Sequence, residues 1–363
     1  MIFLVAKCEA SNIASTYMKG EITMAVTKAV TKAVTKRMAV TLPAGPSLAQ
    51  TIERLTWAEK HGYPDAWFSD SGAPDSLTQV AAVAHHTTSI RIGVAVTPVY
   101  TRTPAVLAAT ANVLEQLLPG RFIMGLGSSS QTIMGAWNGI PLDKPLTRVK
   151  DTALMVRSML KGEKSDFDLT TLKSRGYRQA PLENPPPLYL AALQPKMIEM
   201  AAEVGDGVIF NLWPKSALPK MMEHVKIGAE RAGKNWEEVE IVNRAMVLAT
   251  DDKEAGRQLF RAAFAPYYAT PVYNNFLAWS GFHDAASTIT EGWAEKDRAK
   301  TGGALTDDLI DEIAIIGTED EIRARITEDA DGGVHTHIIA PMASSPEDVQ
   351  RTFAAFTADV FSF

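Results

Sequence analysis

The sequence predicts a (β/α)8 barrel with a helical insertion at its C-terminal face. After Met38, short runs rich in β-branched residues alternate with helix-period segments eight times, which is the pattern of parallel strands joined by crossover helices. The length of 363 residues suits either one such barrel or two smaller domains. A doubly wound open sheet shows the same alternation, so the choice of a barrel depends on the motifs described below.

The eight strand–helix units can be assigned in order along the chain. The predicted strands are 38–42, 65–70, 90–96, 122–125, 188–192, 207–210, 239–248 and 336–340. The predicted helices are 47–61, 76–86, 104–118, 145–160, 195–204 and 216–232, then one that the capping box Thr318–Glu321 opens and one that Ser345 opens. Residues 264–307 are too long for a simple loop and rich in aromatic residues, so they predict a helical insertion over the C-terminal ends of the strands.

The composition narrows the classes of function. A formal net charge of -6 argues against nucleic-acid binding, which needs a basic surface. Cys8 is the one cysteine, which excludes an intramolecular disulfide and a Cys-based zinc site. No apolar run approaches the roughly 20 residues that cross a bilayer. We therefore expect a cytoplasmic protein that binds neither nucleic acid nor a membrane.

Residues 1–37 lack the pattern of apolar residues that a core-forming segment would have. The tetrapeptide Ala25–Lys28 is repeated twice in succession, and Met24 and Met38 are alternative starts. We expect an N-terminal extension over 1–37, disordered or solvated, followed by one barrel over 38–363. A targeting role for the extension is the alternative.

Two loops after predicted strands carry candidate binding residues. Gly127, Ser128, Ser129 and Ser130 follow the fourth strand, where bare backbone and small hydroxyl groups can approach an anion; a tight turn without a ligand is the alternative. The loop is not a dinucleotide fingerprint, since Ser130 stands where that motif has its last glycine. Active sites of (β/α)8 barrels lie at the C-terminal ends of the strands, so the residues Thr97, Tyr100 and Arg102 after the third strand are expected at the active face. A surface ion pair for Arg102 and loop packing for Tyr100 are the alternatives.

Taken together, the motifs resemble the luciferase-like monooxygenase superfamily. They are VTPVYTRTP at strand 3, GRFIMGLGSSS at strand 4, the later PLTRVKDT and LKGE, and PPLYLAA with EVGDG around strand 5. Their order and spacing match the family over about Met38 to Phe363. The resemblance implies a (β/α)8 barrel enzyme, usually a homodimer.

Two subfamilies are relevant: reduced-FMN monooxygenases, and oxidoreductases that use coenzyme F-420 (hereafter F420), an 8-hydroxy-5-deazaflavin. The YTRTP segment resembles the YTRHP of methylenetetrahydromethanopterin reductases, and DDLIDEIAIIGTEDEI with Trp293 resembles actinobacterial F420-dependent oxidoreductases. The resemblance therefore implies F420 as cofactor, hydride transfer to or from a small organic substrate, and a separate enzyme that reduces the cofactor. An FMN-dependent monooxygenase and a non-catalytic cofactor-binding barrel are the alternatives.

The resemblance also implies where the cofactor lies. A non-proline cis peptide behind the ring matches Val94–Ala95, with Thr97 beside it, and Ser128, Ser129 and Ser130 hold ribityl or phosphate oxygens. Near the start of the fifth helix, the cofactor tail approaches Leu193, Gln194 and Pro195. The carboxylates of that tail favour a basic rim, for which Arg102, Lys196 and Lys215 are candidates.

The catalytic residues are harder to assign. Sugar-phosphate dehydrogenases of this family have a histidine where Ser71 stands and a glutamate where Ser130 stands, so a sugar-phosphate substrate is not expected. Asp70, Ser71 and Tyr100 remain candidates at the barrel mouth, and a loop or helix-cap role is the alternative for Asp70. His335 and His337 have a spacing that a metal could use, but no third ligand accompanies them, so we expect no metal.

The insertion is the expected wall of the substrate pocket, because loops at the strand C-terminal ends vary between barrel enzymes while the scaffold does not. Trp279 and Phe282 are its candidate contact residues. Their apolar side chains indicate a substrate that is partly hydrophobic.

We predict that residues 1–37 are dispensable, because the repeat has no core-facing pattern. A shortened chain that starts at Met38 should fold and bind cofactor as the full chain does, measured by thermal unfolding and cofactor titration. Loss of solubility in the shortened chain would show that the extension packs on the barrel or on a partner subunit.

Overall fold

In a computed structural model, which describes residues 34–42, 47–70, 74–343 and 345–363, eight parallel strands close into a ring. The strands are β1 (Arg37–Leu42), β2 (Asp65–Phe68), β3 (Arg91–Val94), β4 (Phe122–Gly127), β5 (Leu188–Ala191), β6 (Gly207–Asn211), β7 (Glu240–Ala249) and β8 (Thr336–Pro341). Each strand pairs in parallel with the next, and β8 pairs with β1. The ring confirms the predicted (β/α)8 barrel and excludes the open doubly wound sheet.

Helices follow the strands around the outside of the ring. They are α1 (Leu48–Lys60), α2 (Ser76–Val83), α3 (Pro104–Leu117), α4 (Pro145–Leu160), α5 (Pro195–Val204), α6 (Leu218–Arg231), α12 (Glu319–Asp331) and α13 (Pro346–Ala354). Pro104, Pro145 and Pro195 each begin a helix, where the missing N–H has no intrahelical partner to lose. The predicted capping box between Thr318 and Glu321 is present at the start of α12.

Between β7 and α12 the chain forms five helices. They are α7 (Lys253–Tyr268), α8 (Pro271–Trp279), α9 (His283–Ala294), α10 (Arg298–Gly303) and α11 (Asp307–Ile313). Their buried side chains form one apolar cluster with Met246 and Leu248 of β7 and Ala340 of β8. The helices therefore cover the C-terminal ends of these two strands. None of the helices in the described ranges is both long and apolar enough to cross a membrane.

The middle of the barrel is filled by a layer of inward side chains. Since side chains alternate along a strand, every second residue points inward. This layer consists of Ala39, Trp67, Ile123, Tyr189, Ile209, Val242 and Ile338. Trp67 is the largest, and Gly93 makes room for it, because a Cβ at Gly93 would lie 2.5 Å from the indole ring. The barrel is thus a packed core and not a pore.

At the N-terminal end of the barrel the inward residues are charged and polar. Arg91 Nε and Nη2 donate to the two carboxylate oxygens of Asp65 at 2.8 and 2.5 Å, and Nη2 also donates to Glu240 Oε1 at 3.0 Å. The hydroxyl groups of Tyr189 and Thr336 each donate to Glu240 at 2.5 Å. Burial alone would raise the pKa of Glu240, but the attraction of Arg91 and these hydrogen bonds hold it below its ordinary value. The cluster therefore keeps Glu240 charged in the interior.

The barrel begins slightly earlier than predicted. Arg37 is the first residue of β1, and Lys36 Nζ lies 2.8 Å from the Asp331 carboxylate at the end of α12. The last residues of the predicted extension 1–37 thus pack on the barrel, whereas residues 1–33 lie outside the described ranges.

We predict that Glu240→Gln lowers the free energy of unfolding by about 3 kcal/mol, because it leaves part of the Arg91 charge buried without a counter-charge. Glu319→Gln is the matched control. Glu319 also pairs with an arginine, Arg351, with Oε1 2.6 Å from Nε, but the pair is about one-third exposed and screened by water, so its loss should cost less than 1 kcal/mol. Urea unfolding of both variants measures the difference, and equal losses would contradict the role given to the buried cluster.

We also predict a fall in stability below about pH 6.5 that depends on His337 of β8. Its ring is buried, and this burial, with smaller effects of His335 and Lys36, lowers the pKa of His337 to about 3. Since the unfolded chain takes up a proton near pH 6.5 and the folded chain does not, stability is complete above pH 6.5. Below it, stability declines by up to about 1.4 kcal/mol per pH unit.

Urea unfolding at pH 7.5, 6.5 and 5.5 measures this slope. His337→Leu should flatten the slope between pH 6.5 and 5.5, whereas the same substitution at the exposed His86 should leave it unchanged. Identical slopes in the two variants would rule out the buried ring as the cause.

Candidate active site

The C-terminal mouth of the barrel is lined by small side chains on one side. Ala95 and Val96 follow β3, Gly127 ends β4 and Ala191 ends β5, and all but the glycine belong to the apolar cluster of the interior. Gly127 lies so close to Val96 and Ala191 that a Cβ there would overlap Val96 Cγ2. This side of the mouth can therefore accept a flat molecule that needs an apolar wall.

The wall after β3 contains a non-proline cis peptide, and it lies one bond later than predicted. The cis bond is Ala95–Val96, so the prediction of Val94–Ala95 was wrong. Val94 is still an ordinary strand residue, paired with Phe68 of β2. Parallel pairing with β4 resumes at Thr97, opposite Leu126. Matching the Thr-Pro motif located the irregular segment, but not which of its bonds is cis.

Three buried polar atoms around this wall have no hydrogen-bond partner among the described residues. They are Thr41 Oγ1 near the end of β1, Trp67 Nε1 in the interior and Thr97 Oγ1 after the cis bond. A buried polar group without a partner costs about 1–3 kcal/mol, so such groups call for a ligand or water. Orphaned donors and acceptors beside an apolar wall fit a heteroaromatic ring such as a flavin or deazaflavin.

The serine loop after β4 is folded as a turn. Ser129 has a φ of 63°, in the left-handed region, and the Ser128 hydroxyl donates to the Ser129 carbonyl at 3.4 Å. Ser130 Oγ accepts from the backbone N–H of Ile133 at 3.2 Å and so caps the helical segment Thr132–Trp137. The loop satisfies part of its own polarity, while Ser128 and Ser129 keep partial exposure at the mouth.

Asp70 and Arg102 form an ion-pair cluster at the mouth. Arg102 Nη1 lies 3.1 Å from Asp70 Oδ2, and Nη2 pairs with Asp75. The hydroxyl of Ser76 donates to the same Asp70 oxygen at 3.0 Å. Arg102 is thus neutralised by two carboxylates, which matches the ion-pair alternative for this residue. Ser71, the neighbouring catalytic candidate, lies outside the described residues.

Tyr100 and the residues before α5 complete the set of predicted positions. The Tyr100 hydroxyl donates to the Asp143 carbonyl at 2.5 Å, and the Arg148 guanidinium lies over its ring. Burial raises the pKa of Tyr100.

At the start of α5, Leu193 packs against the core and Gln194 Nε2 donates to the Val272 carbonyl of α8 at 3.1 Å. Pro195 begins the helix, and Lys196 is exposed.

The insertion reaches the mouth through residues other than the two predicted. Trp279 stacks on Phe276 with ring centres 5.7 Å apart and lies under Lys220 of α6, and Phe282 packs in the apolar cluster of the insertion. Both aromatic side chains are therefore packed against other parts of the protein and not against the barrel mouth. Instead, Tyr273 of α8 accepts a hydrogen bond from Asn211 Nδ2 at 2.9 Å, at the end of β6.

Sequence reasoning also missed Arg244, which lies inside the barrel on β7. Its side chain lies on the same face of β7 as those of the inward residues Val242 and Met246. Its Nη1 lies 3.5 Å from Asn211 Oδ1. The sequence contained a signal for it, because Arg244 is the one charged residue in the stretch Ile241–Ala249, which is otherwise apolar except for Asn243. His335 directly precedes β8, and His337 lies near its start. His335 Nδ1 accepts from the Ile241 N–H, the buried His337 ring lies 5.6 Å from the Phe363 ring, and no group of three or more potential metal ligands occurs in the described ranges.

Comparisons with known proteins agree on one family. The model of the family described as luciferase-like monooxygenase matches residues 29–336. A 5,10-methylenetetrahydromethanopterin reductase of Methanolobus tindarius is 32% identical over 293 residues, which cover 80% of this chain and 89% of that protein.

Two solved structures show the same fold at low sequence identity. The coenzyme F420-dependent tetrahydromethanopterin reductase of Methanopyrus kandleri superposes with a TM-score of 0.74 at 20% identity, covering 88% of this chain and 96% of the other. The oxygenating constituent of 3,6-diketocamphane monooxygenase from Pseudomonas putida, solved with FMN, superposes with a TM-score of 0.64 at 15% identity, covering 90% and 97%. The family match over most of the chain, together with the reductase relative, shows that the chain belongs to the luciferase-like monooxygenase family.

Proposed function

We propose that this chain is an oxidoreductase that binds coenzyme F420 and catalyses hydride transfer to or from a small, partly hydrophobic organic substrate. The observation that carries the proposal is the 32% identity to a methylenetetrahydromethanopterin reductase over most of both chains. A reductase of the related substrate tetrahydromethanopterin that shares this fold is named as F420-dependent. When bound, F420 supplies a ring carbon that gives or takes one hydride, while the adjacent substrate atom exchanges one proton with water.

The residues at the mouth would divide the binding of the cofactor between them. Ala95 and Val96 offer the apolar wall for the ring, and Thr97 offers a buried hydroxyl that has no hydrogen-bond partner in the part of the chain that the structure describes. Ser128 and Ser129 are placed to hold the polar chain attached to the ring. The chain would then run toward the start of α5, where Leu193, Gln194 and Pro195 lie and where the helix N-terminus attracts negative charge.

The protein groups around the ring would exclude water and orient the substrate. The insertion covers the strand ends and supplies the apolar roof that a partly hydrophobic substrate requires. Of the three cations proposed for the cofactor tail, Lys196 is exposed and available. Lys215 Nζ lies 3.6 Å from Glu328 Oε2, and Arg102 already pairs with Asp70 and Asp75. We therefore assign the tail to Lys196 and give Arg102 the task of holding Asp70 at the mouth.

A reduced-FMN monooxygenase is the second candidate, because the family is described by that activity and one neighbour in fold was solved with FMN. The two candidates differ in their need for oxygen. A deazaflavin has a carbon where a flavin has its reactive nitrogen, and so it reacts poorly with oxygen. The homodimer and a separate enzyme that reduces the cofactor belong to the same proposal and rest on the family resemblance, whereas the proposed cytoplasmic location rests on the composition.

We predict that the purified chain binds F420 with a dissociation constant in the micromolar range or tighter, and FMN at least tenfold more weakly. Separate titrations with the two cofactors, followed by absorbance and protein fluorescence, measure this. Tight binding of reduced FMN with oxygen-dependent product formation would replace the proposal by the monooxygenase, and binding of neither cofactor would favour a non-catalytic barrel.

We further predict that Gly127→Ala weakens F420 binding at least tenfold, because the added Cβ pushes Val96 out of the ring wall. Gly302→Ala in α10 is the matched control, since nothing lies within 4 Å of a Cβ there. Titration gives the affinity, and thermal unfolding gives the stability of each variant. An unchanged affinity in a folded Gly127→Ala protein would show that the ring lies elsewhere.

A further inference from the structure

Arg244 differs from the other arginine inside the barrel. Arg91, at the N-terminal end, pairs with Asp65 and Glu240. Arg244 lies in the middle of β7, opposite Asn211 at the C-terminal end of β6. It pairs with no carboxylate of the described residues, and its hydrogen-bond partners are Asn211 Oδ1 and the sulfur of Met246. The undescribed loop segments 43–46, 71–73 and 344 contain no Asp or Glu in the sequence. Within the described ranges, the mouth of the barrel therefore holds a cation without a counter-charge.

The surroundings of Arg244 are polar but uncharged. Asn211 connects the guanidinium to Tyr273, since its Oδ1 faces Arg244 and its Nδ2 donates to the Tyr273 hydroxyl at 2.9 Å. Burial lowers the pKa of Arg244, yet an arginine stays charged in proteins. A buried charge without a partner is costly for the fold, so its retention points to a ligand that supplies the opposite charge.

The ring order of the strands places Arg244 opposite the apolar wall. The wall formed by Ala95 and Val96 follows β3, and β7 is four strands away in either direction around the ring, on the opposite side of the mouth. A cofactor ring held by that wall would leave Arg244 on the other side of the mouth. A substrate between the two would lie within reach of Arg244.

We propose that Arg244, with Asn211 and Tyr273, forms a subsite for a carboxylate of the substrate, and that the substrate therefore has an apolar body and an acidic group. A guanidinium presents a planar fork of N–H donors that matches a carboxylate in two parallel hydrogen bonds. The Tyr273 hydroxyl accepts from Asn211 and keeps its own proton, so it can donate a third hydrogen bond. This assignment deepens the proposed function: the subsite is argued from Arg244 alone, whereas its use by a redox substrate rests on F420 binding.

The test compares two probes of equal shape, sodium benzoate and the neutral benzamide, on the cofactor-free protein by calorimetric titration. Benzoate should bind at least tenfold more tightly than benzamide. Arg244→Met should abolish that preference, and Arg244→Lys should retain part of it. Equal binding of the two probes, or a benzoate preference that survives in Arg244→Met, would overturn the proposal.

Stability and cofactor affinity separate the remaining explanations. Because Arg244→Met removes an unpaired charge, its thermal midpoint should equal or exceed that of the parent protein, and a clear drop would show a structural role. Tyr273→Phe, which keeps the charge and the packing, should weaken benzoate binding several-fold. It also supplies a second reading if Arg244→Met fails to fold.

F420 and the deazaflavin nucleoside without the phosphate and glutamate tail should bind to Arg244→Met as they bind to the parent. A loss confined to the tailed form would assign Arg244 to the cofactor and overturn the proposal. If the parent protein binds no F420 but keeps the Arg244-dependent preference for benzoate, the proposed function fails while the carboxylate subsite stands.

Discussion

The closed ring depends on the charged cluster around Arg91. Its members come from five of the eight strands: Asp65 from β2, Arg91 from β3, Tyr189 from β5, Glu240 from β7 and Thr336 from β8. Side chains alternate in direction along a strand, so a shift of one residue in any of these strands would turn its polar group away from the cluster. Such a shift would leave buried charges unpaired. The cluster thus fixes the register of the strands, and with it the height at which each strand ends at the mouth.

The two interior arginines differ in their surroundings. Arg91 lies at the N-terminal end, where two carboxylates neutralise it and where the ion pairs stabilise the fold. Arg244 lies toward the other end, where the insertion shields it and where no carboxylate of the described residues meets it. In (β/α)8 enzymes the C-terminal face carries the chemistry and the N-terminal face carries stability. The pairing of one arginine and the lack of pairing of the other follow this division.

Local signals in the sequence were enough to predict the elements of the fold. Prolines, helical periodicity and cap residues that lie close together in the sequence were enough to predict the bounds of α4 and α5 and the capping box of α12. The candidate site depended on longer-range relations. Which bond of the segment after β3 is cis depends on where pairing with β4 resumes, and a motif match alone does not contain that register.

The same limit applies to the insertion. Trp279 and Tyr273 are both aromatic residues of α8, six positions apart, and the sequence does not say which of them faces the mouth. Packing decides it: Trp279 is taken up by Phe276 and Lys220, while Tyr273 is directed to Asn211. Arg244 was overlooked because an arginine in a strand ordinarily faces solvent, and only closure of the ring turns every second position of β7 inward.

Hydrogen bonds attach the insertion to two sides of the barrel mouth. The Tyr268 hydroxyl donates to the Leu212 carbonyl at 2.9 Å, directly after β6, which holds the junction of α7 and α8 over the strand ends. From there α8 makes two further polar contacts. Val272 accepts from Gln194 on the side proposed for the cofactor tail, and Tyr273 accepts from Asn211 on the side proposed for the substrate. Because adjacent residues of one helix make both contacts, a movement of α8 that opens one side must also disturb the other. In the proposed function, retention of the cofactor and selection of the substrate would therefore be linked through α8.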